Sequence, residues 1–106
     1  MSRERIVRWT VPAKNDLVAA HSYLRDRDPQ AATSFARKIR EAIGLLPEFP
    51  RRGGQLQSLP LAGEYRSLII DYYRIIYRVD PEVVYVMRVW DCRQDPALMW
   101  EELDGE

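Results

Sequence analysis

The chain has 106 residues, a length typical of one domain, so we expect a single domain over residues 1–106. Hydrophobic residues make up 46% and charged residues 30%, which is ordinary for a globular protein in water. No apolar run approaches the roughly 20 residues that cross a bilayer, and no signal-like stretch follows the charged N-terminus. The single cysteine, Cys92, excludes an internal disulfide and a multi-cysteine metal site. We expect a cytoplasmic protein with no membrane contact, no metal and no cofactor.

The net charge of zero conceals an uneven distribution. Residues 1–93 carry all 16 Lys and Arg against 11 Asp and Glu, a net +5, whereas the tail at 94–106 carries five acids and no base, a net −5. A mildly basic body suits an acidic partner, either protein or nucleic acid. A dedicated nucleic-acid binder usually has a pI above about 9, so the sequence pI of 6.6 disfavours that class without excluding it.

The first half of the chain predicts a strand and a helical hairpin. Residues 5–10 alternate between apolar and polar, as a strand does. From Pro12 onward, apolar residues recur every three or four positions, and the same helical pattern returns after Pro29. Asp28 is suited to cap that second helix, which is expected to end before Pro47. Two helices with almost no linker predict an antiparallel hairpin.

The second half predicts a loop followed by strands. Residues 51–63 contain several glycines and a proline, which is typical of a loop. A short helix is predicted from Asp95 to Glu102. The order strand, helix, helix, strand, strand, strand predicts a two-layer α+β domain, with the hairpin against a three-stranded, mostly antiparallel sheet. These three strands are predicted over Tyr65–Ile70, Tyr73–Val79 and Val83–Asp91.

Six short phrases, in the same order along residues 5–96, resemble motifs of the ParE/RelE toxin superfamily. Residues 28–32, for example, are similar to the family's Asn-Pro-x-Ala-Ala start of helix two, and residues 73–79 to its central Tyr-Arg-Ile-Ile-Tyr-Arg-Val strand. Each phrase is weak alone, but six in order are specific. The phrases are Trp9–Leu17, Tyr23–Leu24, Asp28–Ala32, Leu46–Gly53, Tyr73–Val79 and Arg88–Pro96.

This resemblance implies a toxin of a type II toxin–antitoxin pair, held inactive by an antitoxin that wraps it. One branch of the superfamily cleaves mRNA in the ribosome, using basic residues with a Tyr or His. The ParE-like branch inhibits DNA gyrase and is not a nuclease. A third interpretation is a non-toxic remnant that still binds antitoxin.

The residues available for RNA cleavage favour the gyrase inhibitor over the nuclease. Attack by a 2′-hydroxyl requires proton-transfer groups as well as cations on the phosphate. Arg66, Arg74 and Arg93 are the candidate cations. The single histidine, His21, lies within helix one, and Trp90 stands where the family often has a histidine. The tyrosines around the predicted strands are interpreted as packing residues rather than base-stacking ones, namely Tyr65, Tyr72, Tyr73, Tyr77 and Tyr85.

Antitoxin binding is predicted where the fold leaves apolar surface open. The predicted contacts are the helix-one face around Leu17 and Leu24, with the groove beside Arg74 and Tyr77. A homodimer, or a heterotetramer with the antitoxin, would also cover such surface.

Binding of the target, DNA gyrase, is predicted at Trp90, Arg93 and Trp100. Tryptophan and arginine are the residue types that dominate protein interfaces. Core packing is an equally good interpretation of Trp90. Ribosome and mRNA are expected as partners only if the chain is a nuclease.

Overall fold

The computed structural model describes residues 4–56 and 63–94. The strands form one open sheet in the order β1-β5-β4-β3-β2. β1 runs parallel to β5, and every other neighbouring pair is antiparallel. The predicted α+β class, with a helical hairpin and antiparallel strands, is confirmed. In chain order the elements are β1 (Ile6–Trp9), α1 (Val11–Arg27), α2 (Pro29–Gly44), β2 (Gly54–Gln55), β3 (Glu64–Ile70), β4 (Tyr73–Val79) and β5 (Val83–Asp91).

The prediction of a three-stranded sheet was wrong, because the sheet has five strands. β1 joins it at one edge, and β2, within the predicted loop, pairs with Arg66 and Ser67 at the other. Glycine-rich segments have low strand propensity, so β2 had no local signal. The predicted helix at Asp95–Glu102 and all of the acidic tail but Gln94 lie outside the described residues.

The boundary between the two helices lies at Asp28, as the sequence predicted. The Asp28 N–H donates to the Leu24 carbonyl at 2.7 Å and so ends α1. Its carboxylate accepts from the backbone N–H groups of Gln30 and Ala31 at 3.1 and 3.3 Å, which caps α2. Pro29 occupies the first helical position, where its missing N–H costs nothing. Asp28 therefore ends α1 and caps α2, which fixes the position of the turn between the two helices.

The main core lies between the helical hairpin and one face of the sheet. Small residues on α1, Ala13 and Ala20, let that helix approach the sheet closely. The opposite face of the sheet carries a second cluster, since successive strand residues point to opposite sides. The main core holds Phe35, Ile39, Ile43, Leu46, Tyr73, Ile75, Tyr77, Val79, Val84, Val86 and Val89, and the second cluster holds Tyr65, Ile76, Met87 and Trp90.

A β-bulge and an ion pair join α1 to β5. The register between β4 and β5 shifts between Ile76 and Tyr77, which places an extra residue in β5. Arg88, at this bulge, donates from Nε and Nη2 to the two carboxylate oxygens of Asp16 on α1, at 2.7 and 2.9 Å. The same carboxylate accepts from the Val89 N–H at 3.0 Å. Both charged side chains are less than one-fifth exposed, so the pair holds the helix in place from within the fold.

Replacing Asp16 with alanine is predicted to destabilise the fold by about 3 kcal/mol, because it removes the largely buried carboxylate that accepts from both the Arg88 guanidinium and the Val89 N–H. Glu41→Ala is the control, since its pair with Arg37 is well exposed and is expected to contribute less than about 1 kcal/mol. Urea unfolding of both variants measures the difference. Equal midpoints for the two would show that the buried pair does not hold α1.

Candidate functional site

Arg66 lies on the helix side of the sheet and supports the chain around β2. Its Nε donates to Glu64 at 2.7 Å, and its Nη1 donates to the Gly53 carbonyl at 2.8 Å. Glu64 also accepts two hydrogen bonds from Arg51 at 2.9 and 3.0 Å. The hydrogen bonds from Arg66, with Arg51 beside it, hold the pKa of the Glu64 carboxyl below its ordinary value. Arg66 is thus engaged in structure rather than open to a phosphate.

Arg74 lies on the helix-free face, where it pairs in register with Trp90 on β5 and Ile69 on β3. Its neighbours Tyr73 and Ile75 point the other way, into the main core. Arg74 is half-buried, and within residues 4–56 and 63–94 its guanidinium has no carboxylate partner. It is the predicted cation most available to a ligand.

Arg93 lies just beyond the end of β5 and is held by Asp91. Its backbone N–H and Nε donate to one carboxylate oxygen, both at 2.9 Å, and Nη2 donates to the other at 2.8 Å. These hydrogen bonds lower the pKa of Asp91, so the pair stays charged to low pH. The guanidinium carbon also lies 5.5 Å from the ring centre of Tyr23 and 5.4 Å from that of Tyr72.

The three candidate cations therefore do not converge on one point. Arg66 and Arg74 lie on opposite faces of the sheet. Arg93 lies just beyond the end of β5, where it is bound to the Asp91 carboxylate. Burial raises the pKa of the Tyr73 and Tyr77 phenols above their ordinary value, so both tyrosines are poor bases. His21 lies on α1, beside the helical groove described below. A nuclease requires cations and proton-transfer groups around one reacting phosphate, and these residues do not supply that arrangement.

Two of the predicted contact residues are core residues. Tyr77 has no exposed surface, and its Oη accepts from the Gly53 N–H at 2.9 Å. A Cβ at Gly53 would lie 2.6 Å from that oxygen, so the close approach requires glycine. Trp90 is 6% exposed, which agrees with core packing, and its Nε1 has no hydrogen-bond partner. Neither side chain, as placed, can be a surface contact, and Trp100 lies outside the described residues.

An apolar groove runs between α1 and α2 at the β1 edge of the sheet, where Trp9 also lines it. Leu17 forms part of its lining, together with the exposed Val18, and the groove has a volume of about 720 Å³. Its charged lining residues are basic, Arg25 and Arg40, with His21 beside them. We call this the helical groove. Its apolar floor and basic rim suit an amphipathic segment with acidic flanks.

The structure separates the four predicted antitoxin contacts. Leu17 lies in the helical groove, whereas Leu24 lines a separate depression with Lys38 and Tyr72. Arg74 lies on the helix-free face of the sheet, and Tyr77 is inside the core. The sheet separates Arg74 from the two leucines, and Tyr77 is buried, so the four side chains do not share one surface.

Among the residues that the structure describes, no three or more His, Cys, Asp or Glu side chains form a metal-binding group. Within the same ranges, no helix is both long and apolar enough to cross a membrane.

The described residues thus form an open sheet that a helical hairpin covers on one face, with ion-paired arginines and an apolar groove. Residues 7–96 match the family described as the ParE toxin of the type II toxin–antitoxin system, parDE. The chain belongs to this family and is a type II toxin.

Two similar proteins carry toxin names. The chain is 36% identical over 93 residues to "Putative toxin Y4kP" of Sinorhizobium fredii, covering 82% of this chain and 90% of the relative. It is 31% identical over 81 residues to Toxin RelE2 of Caulobacter vibrioides, covering 76% and 88% respectively. These similarities support a toxin but do not distinguish between DNA gyrase and the ribosome as its target.

Two solved structures share the fold. One is a chromosomal ParDE toxin–antitoxin system from P. aeruginosa, with a TM-score of 0.65 and 21% identity, covering 81% of this chain and 94% of that one. The other is the toxin–antitoxin complex RelBE2 from Mycobacterium tuberculosis, with a TM-score of 0.55 and 30% identity, covering 81% and 95%.

Replacing Glu64 with glutamine is predicted to flatten the pH dependence of stability in acid. Because the folded pKa of Glu64 is lowered, its contribution is present above the unfolded pKa of about 4.3 and is lost as the pH falls through the folded value. The wild type should therefore lose more of its urea midpoint than the variant between pH 5 and pH 2. Parallel pH profiles would show that Arg51 and Arg66 do not stabilise the carboxylate.

Proposed function

We propose that this toxin is neutralised by a cognate antitoxin and that the free protein inhibits DNA gyrase through a protein surface. The observation that carries the choice of target is the divergence of the arginines. Arg66 and Arg93 donate to Glu64 and Asp91, and of the three candidate cations Arg74 alone has no carboxylate partner among the described residues. Inhibition by binding needs no proton relay, so this arrangement suits it.

The alternative is mRNA cleavage in the ribosome, and it draws support from the likeness to RelE2 and to the RelBE2 complex. Arg74 would then be the main contact to phosphate. Arg66 would have to leave Glu64 before it could bind phosphate, which costs a charge-assisted hydrogen bond of 2.7 Å in a poorly exposed position. A non-toxic remnant would bind antitoxin and affect neither target.

The helical groove supports the antitoxin part of the proposal. Its lining includes Leu17 and Val18, and Val18 is 66% exposed although it is apolar. An exposed apolar surface with a basic rim favours a partner that brings apolar side chains flanked by acids. Both solved relatives are toxin–antitoxin systems or complexes, which supports a partner of this kind here.

Val18→Asp is predicted to weaken antitoxin binding at least tenfold, about 1.4 kcal/mol, because it places a charge in the apolar lining of the groove. Val11→Asp is the matched control, since Val11 is 68% exposed on the same helix but does not line the groove. Isothermal titration calorimetry with the cognate antitoxin measures both. If Val18→Asp binds like the control, the antitoxin does not use the helical groove.

The purified toxin, added without antitoxin, is predicted to stop gyrase from supercoiling a relaxed plasmid and to leave mRNA on ribosomes uncut. Arg74→Ala should then inhibit gyrase as well as the wild type does, because a protein surface and not a phosphate contact causes inhibition. Ribosome-positioned cuts that disappear in Arg74→Ala would establish the alternative. Activity in neither assay would identify the remnant.

A further inference from the structure

We propose that Tyr23, Tyr72 and Arg93 form the surface that contacts the toxin's protein target, on the side of α1 opposite the helical groove. This inference rests on the proposed function, because it assigns a surface to a toxin that acts by binding a protein. We call these three residues the aromatic–arginine patch. The patch joins the C-terminal part of α1, the turn between β3 and β4, and the end of β5.

Arg93 is exposed but held in one orientation. Three hydrogen bonds to Asp91, between 2.8 and 2.9 Å, fix both its backbone and its guanidinium. The guanidinium lies within 5.5 Å of two tyrosine rings, and the ring of Tyr23 carries the guanidinium of Arg27 at 3.6 Å. Binding a partner at this cluster costs little conformational entropy, because the long Arg93 side chain is already ordered in the free toxin.

Tyr72 is exposed by the geometry of its turn. Asp71 has a φ of +55°, a left-handed conformation that turns the chain tightly between β3 and β4. The Tyr72 carbonyl accepts from the Cys92 N–H at 2.8 Å, which ties the turn to the end of β5. The ring itself is 66% exposed, and Tyr23 is 39% exposed. Folding therefore leaves two aromatic rings in water beside a fixed arginine.

The chemistry of the patch favours a protein surface over a nucleic acid. Tyrosine and arginine are enriched among the residues that dominate protein interfaces. The Asp91 carboxylate balances the charge of Arg93, and the carboxylate of Asp71 beside Tyr72 accepts from Lys38 at 2.8 Å. Phosphate binding depends on clusters of unbalanced cations, whereas of the two arginines that contact the Tyr23 ring only Arg27 has no carboxylate partner among the described residues. The fitting partner presents apolar side chains to the rings, with a carboxylate placed to meet Arg27 or the free edge of Arg93.

The patch and the helical groove lie on opposite sides of one helix. Leu17, Val18 and Ser22 line the groove, whereas Ala19 and Tyr23 line the cleft against β5. With 3.6 residues per turn, these two sets point in opposite directions. A segment confined to the groove would therefore leave the patch open, so the two binding activities are separable by mutation.

Tyr72→Ala and Arg93→Ser test this assignment by surface plasmon resonance on purified DNA gyrase. Each is expected to bind roughly thirty-fold more weakly than the wild type, as loss of a dominant interface residue does. Phe49→Ala is the matched control, because Phe49 is an aromatic residue 54% exposed on the segment after α2, and it should bind within about twofold of wild type. A native far-UV circular dichroism spectrum and a cooperative urea transition for each of the three variants show that they are folded.

A second assay, growth arrest on expression of each toxin without antitoxin, distinguishes failure of the patch proposal from failure of the gyrase proposal. If the wild type binds gyrase and both patch variants bind equally well, the patch is wrong while the gyrase proposal stands. If the wild type arrests growth without binding gyrase, loss of arrest in the patch variants supports a patch for another protein, and retained arrest overturns it. A wild type that arrests no growth overturns the patch together with the toxin's proposed action.

Discussion

The ion pair between Asp16 and Arg88 determines where α1 lies, and both candidate binding surfaces include residues of α1. The Asp16 carboxylate accepts hydrogen bonds from the Arg88 guanidinium and from the Val89 N–H. It therefore connects α1 to both a side chain and the backbone of β5. The bulge makes this possible by adding a residue between two core positions, Val86 and Val89. The main core then needs only small residues, Ala13 and Ala20, between helix and sheet.

The positions of the surfaces bear on how a toxin of this kind would be neutralised. An antitoxin segment confined to the helical groove would not cover the aromatic–arginine patch, because α1 stands between them. Neutralisation would then require an antitoxin that continues around the helix, past Leu24 and the depression beside Lys38 and Tyr72. An antitoxin that wraps its toxin, as the family resemblance implies, is long enough in principle to do both.

Many of the arginines in this arginine-rich chain are engaged in ion pairs within the fold. Arg66, Arg78, Arg88 and Arg93 each donate to a carboxylate, and two of these pairs are mostly buried. A charged side chain that is poorly exposed must be paired to be tolerated. Three of the four arginines on β3, β4 and β5 are therefore paired, whereas Arg8 and Arg74 on the helix-free face have no carboxylate partner among the described residues.

The sequence by itself determined the strand and helix order, the hairpin boundary at Asp28 and the alternation along β4, because caps, prolines and period-two patterns are local signals. It also carried one unused signal, since Tyr72 lies between two predicted strands and so belongs to a turn. Only the tertiary structure decided that β2 joins the sheet, that Tyr77 is inside, and that Arg66 and Arg74 face opposite ways. These outcomes depend on contacts between residues far apart in the chain, such as Gly53 with Tyr77, 24 residues apart, and Asp16 with Arg88, 72 residues apart. No short-range pattern encodes such contacts.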